Sequence, residues 1–162
     1  MTRTYARRPK ASHRGTVDYE IEMLYFSSQR LMKRRFDEEK DEYVYLEAFL
    51  LHYRNLVRFF SGEQHRENMG DISVANPKAW MDREFSSKQI ASIQEPAREL
   101  DRTYHGDISK YLQHCTRARS ERGKVWDVVL MTQEITPIIE AFESSFPRRS
   151  TPRAGKRRPD FR

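Results

Sequence analysis

The sequence predicts an all-α fold, an antiparallel bundle of four to five helices, on three observations. Apolar residues recur at three- and four-residue steps through four long segments, the spacing of one helical face. No segment alternates apolar and polar residues convincingly enough for a strand. No internal repeat or heptad array is present, so short packed helices rather than a coiled coil are expected. With 162 residues the chain suits one domain with a single core.

The first helix opens at Thr16 or Asp18, with Asp18 suited to the N-cap. Ile21, Leu24, Ser28, Leu31 and Phe36 trace one side of it. The charged block Asp37–Glu42 forms a connection or the exposed start of the next helix. The second helix runs from Glu39 to Phe60, and Ser61–Gly62 stops it. Leu46, Phe49, Leu50, Tyr53, Leu56, Val57 and Phe60 fill one broad arc. Glu47, Arg54 and Arg58 cluster opposite, with Leu51 and Asn55 beside them, and His52 lies at the edge of the apolar arc.

Residues 62–87 form a long connection with a turn at Asn76–Pro77, anchored to the body by Ile72, Val74, Trp80 and Phe85. Connections of this length are often functional. The third helical segment spans Ser87 to Ser120, and Pro96 either bends it or begins a new helix. Leu100, Tyr104, Ile108, Tyr111, Leu112 and Cys115 mark its inner side. The fourth runs from Val125 to Phe146. Trp126, Val129, Leu130, Ile135, Ile138, Ile139, Phe142 and Phe146 form its buried side, and Pro137 is expected to kink it.

Charge is distributed unevenly. The chain is 37% hydrophobic and 33% charged, with a formal net charge of +6. Residues 1–15 carry +5 and residues 148–162 carry +6, which leaves −5 on the helical domain at 16–147. Both ends are expected to be disordered basic tails, with solubilisation or weak, salt-dependent polyanion binding as their task. Cys115 is the one cysteine, so a disulfide framework and a Cys-rich zinc site are excluded. That usage fits a reducing cytoplasm. No apolar run approaches the ~20 residues of a membrane span, so no membrane partner is expected.

Several chemistries find no residues to carry them. The glycines follow no phosphate-loop spacing. His52, His65, His105 and His114 stand apart, and neither HExxH nor ExxH occurs, so neither a metal nor any other cofactor is expected. Cys115 and His114 are adjacent on a helix and diverge by about 100°, which disfavours a nucleophile pair.

Arginine and histidine remain. The run Glu47–Phe60, EAFLLHYRNLVRFF, sets Glu47, His52, Arg54, Asn55 and Arg58 into an apolar helix. Each is costly to bury without a partner. Arg54 offers a fork of donors suited to phosphate, and His52 and His114 exchange protons near neutral pH. Metal-independent RNA cleavage needs a base, an acid and a cation over the phosphate. The same residues also serve a purely structural reading. Glu47 then pairs with Arg54 or Arg58 along the helix, Asn55 bonds a neighbouring backbone, and the histidines are core groups.

Tyr19–Leu24 (YEIEML), Glu47–Phe60, Asp71–Trp80 and His114–Arg119 (HCTRAR) followed by Trp126 resemble a bacterial family of short helical proteins. In that family an acidic residue precedes a His-x-Arg-Asn helix and a later His-x-Thr-x-x-Arg helix. The likeness covers residues 17–146 and is similar in turn to the HEPN superfamily of toxin–antitoxin, phage-defence and RNA-processing systems. It implies an HEPN-like bundle that binds RNA or cleaves it without metal, a homodimer, and an antitoxin or other protein partner. Active members use an Arg beside a polar residue, with a His a few residues on. Arg54–Asn55 matches the pair, but the next histidine, His65, falls beyond the Gly62 stop. The resemblance therefore implies Arg54 on phosphate, His52 or His114 as acid/base, and Glu47, Asn55 and Arg119 as orienting groups. Many superfamily members are inactive binding modules, so the alternative is a non-catalytic helical interaction module with a structural polar cluster.

Overall fold

A computed structural model describes residues 13–34, 36–38, 40–62, 72–76, 86–113 and 125–146. Among these residues there are four helices and no strand: α1 (His13–Lys33), α2 (Asp41–Ser61), α3 (Ser87–Gln113) and α4 (Val128–Ser145). Residues 1–12 and 147–162, which hold all but residues 13–15 of the two basic tails, lie outside the described residues, together with Trp80, Phe85, His114, Cys115 and Arg119.

Cross-helix contacts fix the topology. Glu20 meets His52 and Asn55, and Phe26 meets Tyr45, so α1 and α2 run antiparallel. Tyr53 packs edge-on against Tyr104 and Gln94 Nε2 donates to Ser61 O at 3.3 Å, which sets α3 antiparallel to α2. Tyr104 donates its hydroxyl to Glu134 at 2.7 Å, and Tyr111 rests on Trp126, so α4 reverses again. Burial first, and then Glu134, pushes the Tyr104 hydroxyl up to about 12, so it stays a donor at neutral pH. Arg14 donates to Phe146 O and Tyr25 shares a hydrogen bond with Thr136, closing α4 onto α1. Among the described residues the four helices pack up-down-up-down.

The apolar periodicity accounts for most of the core. Ile21, Leu24, Phe49, Leu50, Tyr53, Leu56, Val57, Phe60, Leu100, Ile108, Ile135, Ile138, Ile139, Phe142 and Phe146 are all buried. Two expectations for α4 are corrected. Val129 and Leu130 are 47% and 45% exposed, while Met131 is buried. The inward stripe is Met131, Ile135, Ile138 and Phe142, and Val129 stands about 200° around the helix from Met131.

Helix ends differ from expectation for local reasons. The first helix begins at His13 rather than at Thr16 or Asp18. Asp18 does not cap it; its carboxylate takes Arg14 Nε at 3.1 Å, one turn back. Arg34, at φ 46°, turns the chain after α1, so Phe36 leaves the first helix and stacks on Tyr45. Asp41 gathers the backbone N–H groups of Asp37 and Glu38 at the entrance to α2. Pro96 and Pro137 sit inside continuous helices. Both are exposed, so the carbonyls they leave without helical donors reach water.

Gly62 ends α2 in the left-handed region, φ 68°, with its N–H on Arg58 O at 3.2 Å. The described part of the long connection docks here. Val74 is fully buried and its N–H bonds Phe59 O at 3.1 Å. A Cβ on Gly62 would stand 2.5 Å from Gln94 Nε2 and 3.0 Å from the Ala75 Cβ. Gly62→Ala is therefore expected to destabilise the protein by about 1–2 kcal/mol from the left-handed backbone alone. A thermal melt checks this, and an unchanged midpoint would show that the turn relaxes freely.

Candidate functional site

The central helix α2 carries polar groups on both flanks, and each flank meets a different neighbour. On the α1 side, Glu20 Oε2 stands 2.7 Å from His52 Nδ1 and accepts Asn55 Nδ2 at 3.0 Å. One carboxylate oxygen thus takes both side chains. A carboxylate only accepts, so His52 Nδ1 carries the proton of that bond. The His52 and Glu20 side chains are 7% and 15% exposed, and the edge of Tyr19 covers the imidazole at 5.7 Å between ring centroids. Helical phase puts this clamp on α2: His52 and Asn55 are three apart and neighbours on its surface.

On the α3 side stands a second cluster. Arg54 and Arg58 are one turn apart and half-buried. The Arg54 guanidinium is held below its ordinary value by burial first and by Arg58 second, with Asp101 opposing both. Asp101 belongs to α3 and is buried, at 7% exposure. Its Oδ1 lies 3.4 Å from His105 Nδ1 one turn on, and the His105 side chain is 27% exposed. Another turn along, Ser109 Oγ is 3.5 Å from His105 Nε2. Asp101, His105 and Ser109 therefore form one line along α3, and Asp101 is the member whose charge reaches Arg54 of α2.

The sequence-derived site residues thus divide. His52 and Asn55 converge on Glu20, whereas Arg54 turns to α3 with Arg58. Glu47 is half-buried on the same side of α2 as Arg54. His114 and Arg119 lie outside the described residues. Sequence reasoning missed Glu20 and Asp101 as the groups these side chains meet. Each had a signal: Glu20 is the acid beside Ile21 in YEIEML, and Asp101 follows Leu100 on the apolar face, four residues before His105.

Among the described residues no group of three or more His, Cys, Asp or Glu side chains is placed to hold a metal ion. No helix among them is long and apolar enough to cross a membrane. No family model matches this chain, and neither does any curated protein or solved structure.

Proposed function

We propose that this chain is an HEPN-like helical protein that binds RNA and cleaves it without a metal ion, in a defence or toxin setting. The observation that carries this reading is the Arg54–Arg58 pair, two permanent cations held together on a partly desolvated flank of the central helix. Guanidinium pairs of this kind suit phosphodiester oxygens, which they meet through forked, charge-assisted hydrogen bonds. The four antiparallel helices agree with the architecture that the HEPN resemblance implies. With Arg54 on phosphate, a histidine must move the proton. His52 and His114 are the two that the resemblance offers, and the Glu20 clamp gives His52 a positional task as well.

Arg54→Ala is expected to weaken binding of a short single-stranded oligoribonucleotide by at least about tenfold, with the melting temperature nearly unchanged. Fluorescence anisotropy and a thermal melt measure the two. Cleavage by His52→Ala and His114→Ala, compared with the parent protein, tests the acid/base assignment.

The Glu20–His52–Asn55 clamp, with His52 buried in it, favours a second reading. In it the chain is a non-catalytic helical interaction module whose polar groups fix helix register. The same Arg54→Ala variant then loses melting temperature sharply, and neither it nor the parent protein holds RNA.

A further inference from the structure

The two flanks of α2 hold two carboxylate–histidine couples, and they differ in what a substrate could reach. His52 is 7% exposed, and its Nδ1 makes a short bond to Glu20. His105 is 27% exposed. Its Nδ1 makes no hydrogen bond among the described residues, with Asp101 near it at 3.4 Å. Among the described residues its Nε2 has the long 3.5 Å contact with the neutral Ser109 hydroxyl. Such long contacts do not disqualify an acid/base group, because catalytic hydrogen bonds often tighten only once substrate is bound. The antiparallel register sets this couple beside the arginines. Ser61 meets Gln94 and Tyr53 meets Tyr104, so Arg54 falls opposite Asp101, whose charge it senses.

We infer that His105, aligned by Asp101, is the proton-transfer group of RNA cleavage in this protein, with Arg54 and Arg58 holding the scissile phosphate. The inference rests on the RNA-directed reading above and names the site at which that reaction occurs. A ribose 2′-hydroxyl takes the place of Ser109 Oγ at Nε2. His105 removes its proton as the 2′-oxygen attacks phosphorus. The P–O2′ bond forms, the P–O5′ bond breaks, and the 5′-oxygen leaves with the electron pair and receives the proton back from the imidazolium. The products are a 2′,3′-cyclic phosphate and a 5′-hydroxyl, and no co-reactant is consumed. Asp101 touches no substrate; it is a positioning residue. On the far side of α3, Glu134 of α4 is engaged by the Tyr104 hydroxyl. The charges that α2 contributes on this flank are those of Arg54, Arg58 and Glu47. The Glu20–His52–Asn55 clamp is left with the register of α1 on α2.

The test uses the full chain and a short single-stranded oligoribonucleotide, with cleavage, binding and folding followed together. His105→Ala is expected to lose about 100-fold or more in cleavage rate while still binding the probe, and added free imidazole should restore part of the rate. His105→Gln, closer in shape, should be equally slow. Asp101→Asn should lower kcat and leave KM near the parent value. Cleavage by His105→Ala at the parental rate, with Arg54→Ala inactive, would overturn the assignment and leave the RNA-cleaving reading standing. Loss of cleavage only in step with loss of folding, without imidazole rescue, would also overturn it. A parent protein that binds the probe without cutting it removes the proton-transfer role but keeps RNA binding. One that neither binds nor cuts removes both.

Discussion

Phe142→Ala is expected to cost about 3–5 kcal/mol of folding stability, the range for deleting a buried aromatic side chain. Phe142 is fully buried at the closure of α4 onto α1 and α2. Its ring packs edge-on against Phe59 at 5.5 Å and stacks on Phe146 at 5.1 Å, with Phe60 at 5.2 Å. The Arg14 guanidinium covers it at 4.4 Å from the ring centroid, and Arg14 also holds Phe146 O and Asp18. Removing the ring opens a cavity that three fixed aromatic neighbours cannot readily fill, and it strips the surface on which Arg14 lies. Domains of this size have a total stability of about 5–15 kcal/mol, so the variant should be near its folding threshold. Urea titration of Phe142→Ala beside Phe142→Leu checks the mechanism. The leucine variant should recover most of the loss, because it restores apolar volume. Equal midpoints for the parent and the alanine variant would mean that this closure is not where the bundle's stability lies.

The fold was largely legible because it depends on one-dimensional signals. The step from Phe49 to Tyr53 to Val57 to Phe60 marks an inward stripe wherever the helix ends up. Gly62 announces a helix stop through a conformation that other residues resist. The misreadings occurred at helix ends. Asp18 has the chemistry of a cap, but Arg14 four residues earlier gave it a better partner and let the helix extend past it. Val129 and Leu130 are apolar and near the right phase, yet Met131 defines the stripe, and periodicity over one turn cannot choose between them.

The site was legible by half. Which α2 side chains are unusual follows from their cost of burial, and His52, Arg54, Asn55 and Arg58 stood out for that reason. Their partners did not follow, because pairing across helices depends on interhelical register, which a single chain's periodicity leaves open. A shift of α1 along α2 by one turn would bring a different residue of α1, not Glu20, opposite His52. Helical phase separated His52 from Arg54, but it could not say that one faces α1 and the other α3. His105 was read only against metal-ligand spacing, which it lacks, and it lies outside the segments that carry the family resemblance. Its setting became visible only when α2 was placed beside Asp101.

That register argument makes Glu20 the second decisive position. Glu20→Ala is expected to cost about 3 kcal/mol, within the range for removing the acceptor of a buried charge-assisted pair. The loss exceeds that of an exposed hydrogen bond because His52 Nδ1, at 2.7 Å, is buried, whereas Asn55 Nδ2, at 3.0 Å, is exposed and turns to water. The imidazole is then left buried under Tyr19 without an acceptor for its N–H. Glu20→Gln keeps a carbonyl oxygen in the same place and can accept both donors, so it should cost clearly less. Chemical denaturation of the two variants separates geometry from charge. If both lose equal stability, the carboxylate's charge holds the clamp; if glutamine rescues, its position does. If neither variant shifts the midpoint, Glu20 does not set the register of α1 on α2. The clamp would then be free for chemistry, and His52 would return as a rival to His105 for the proton-transfer role.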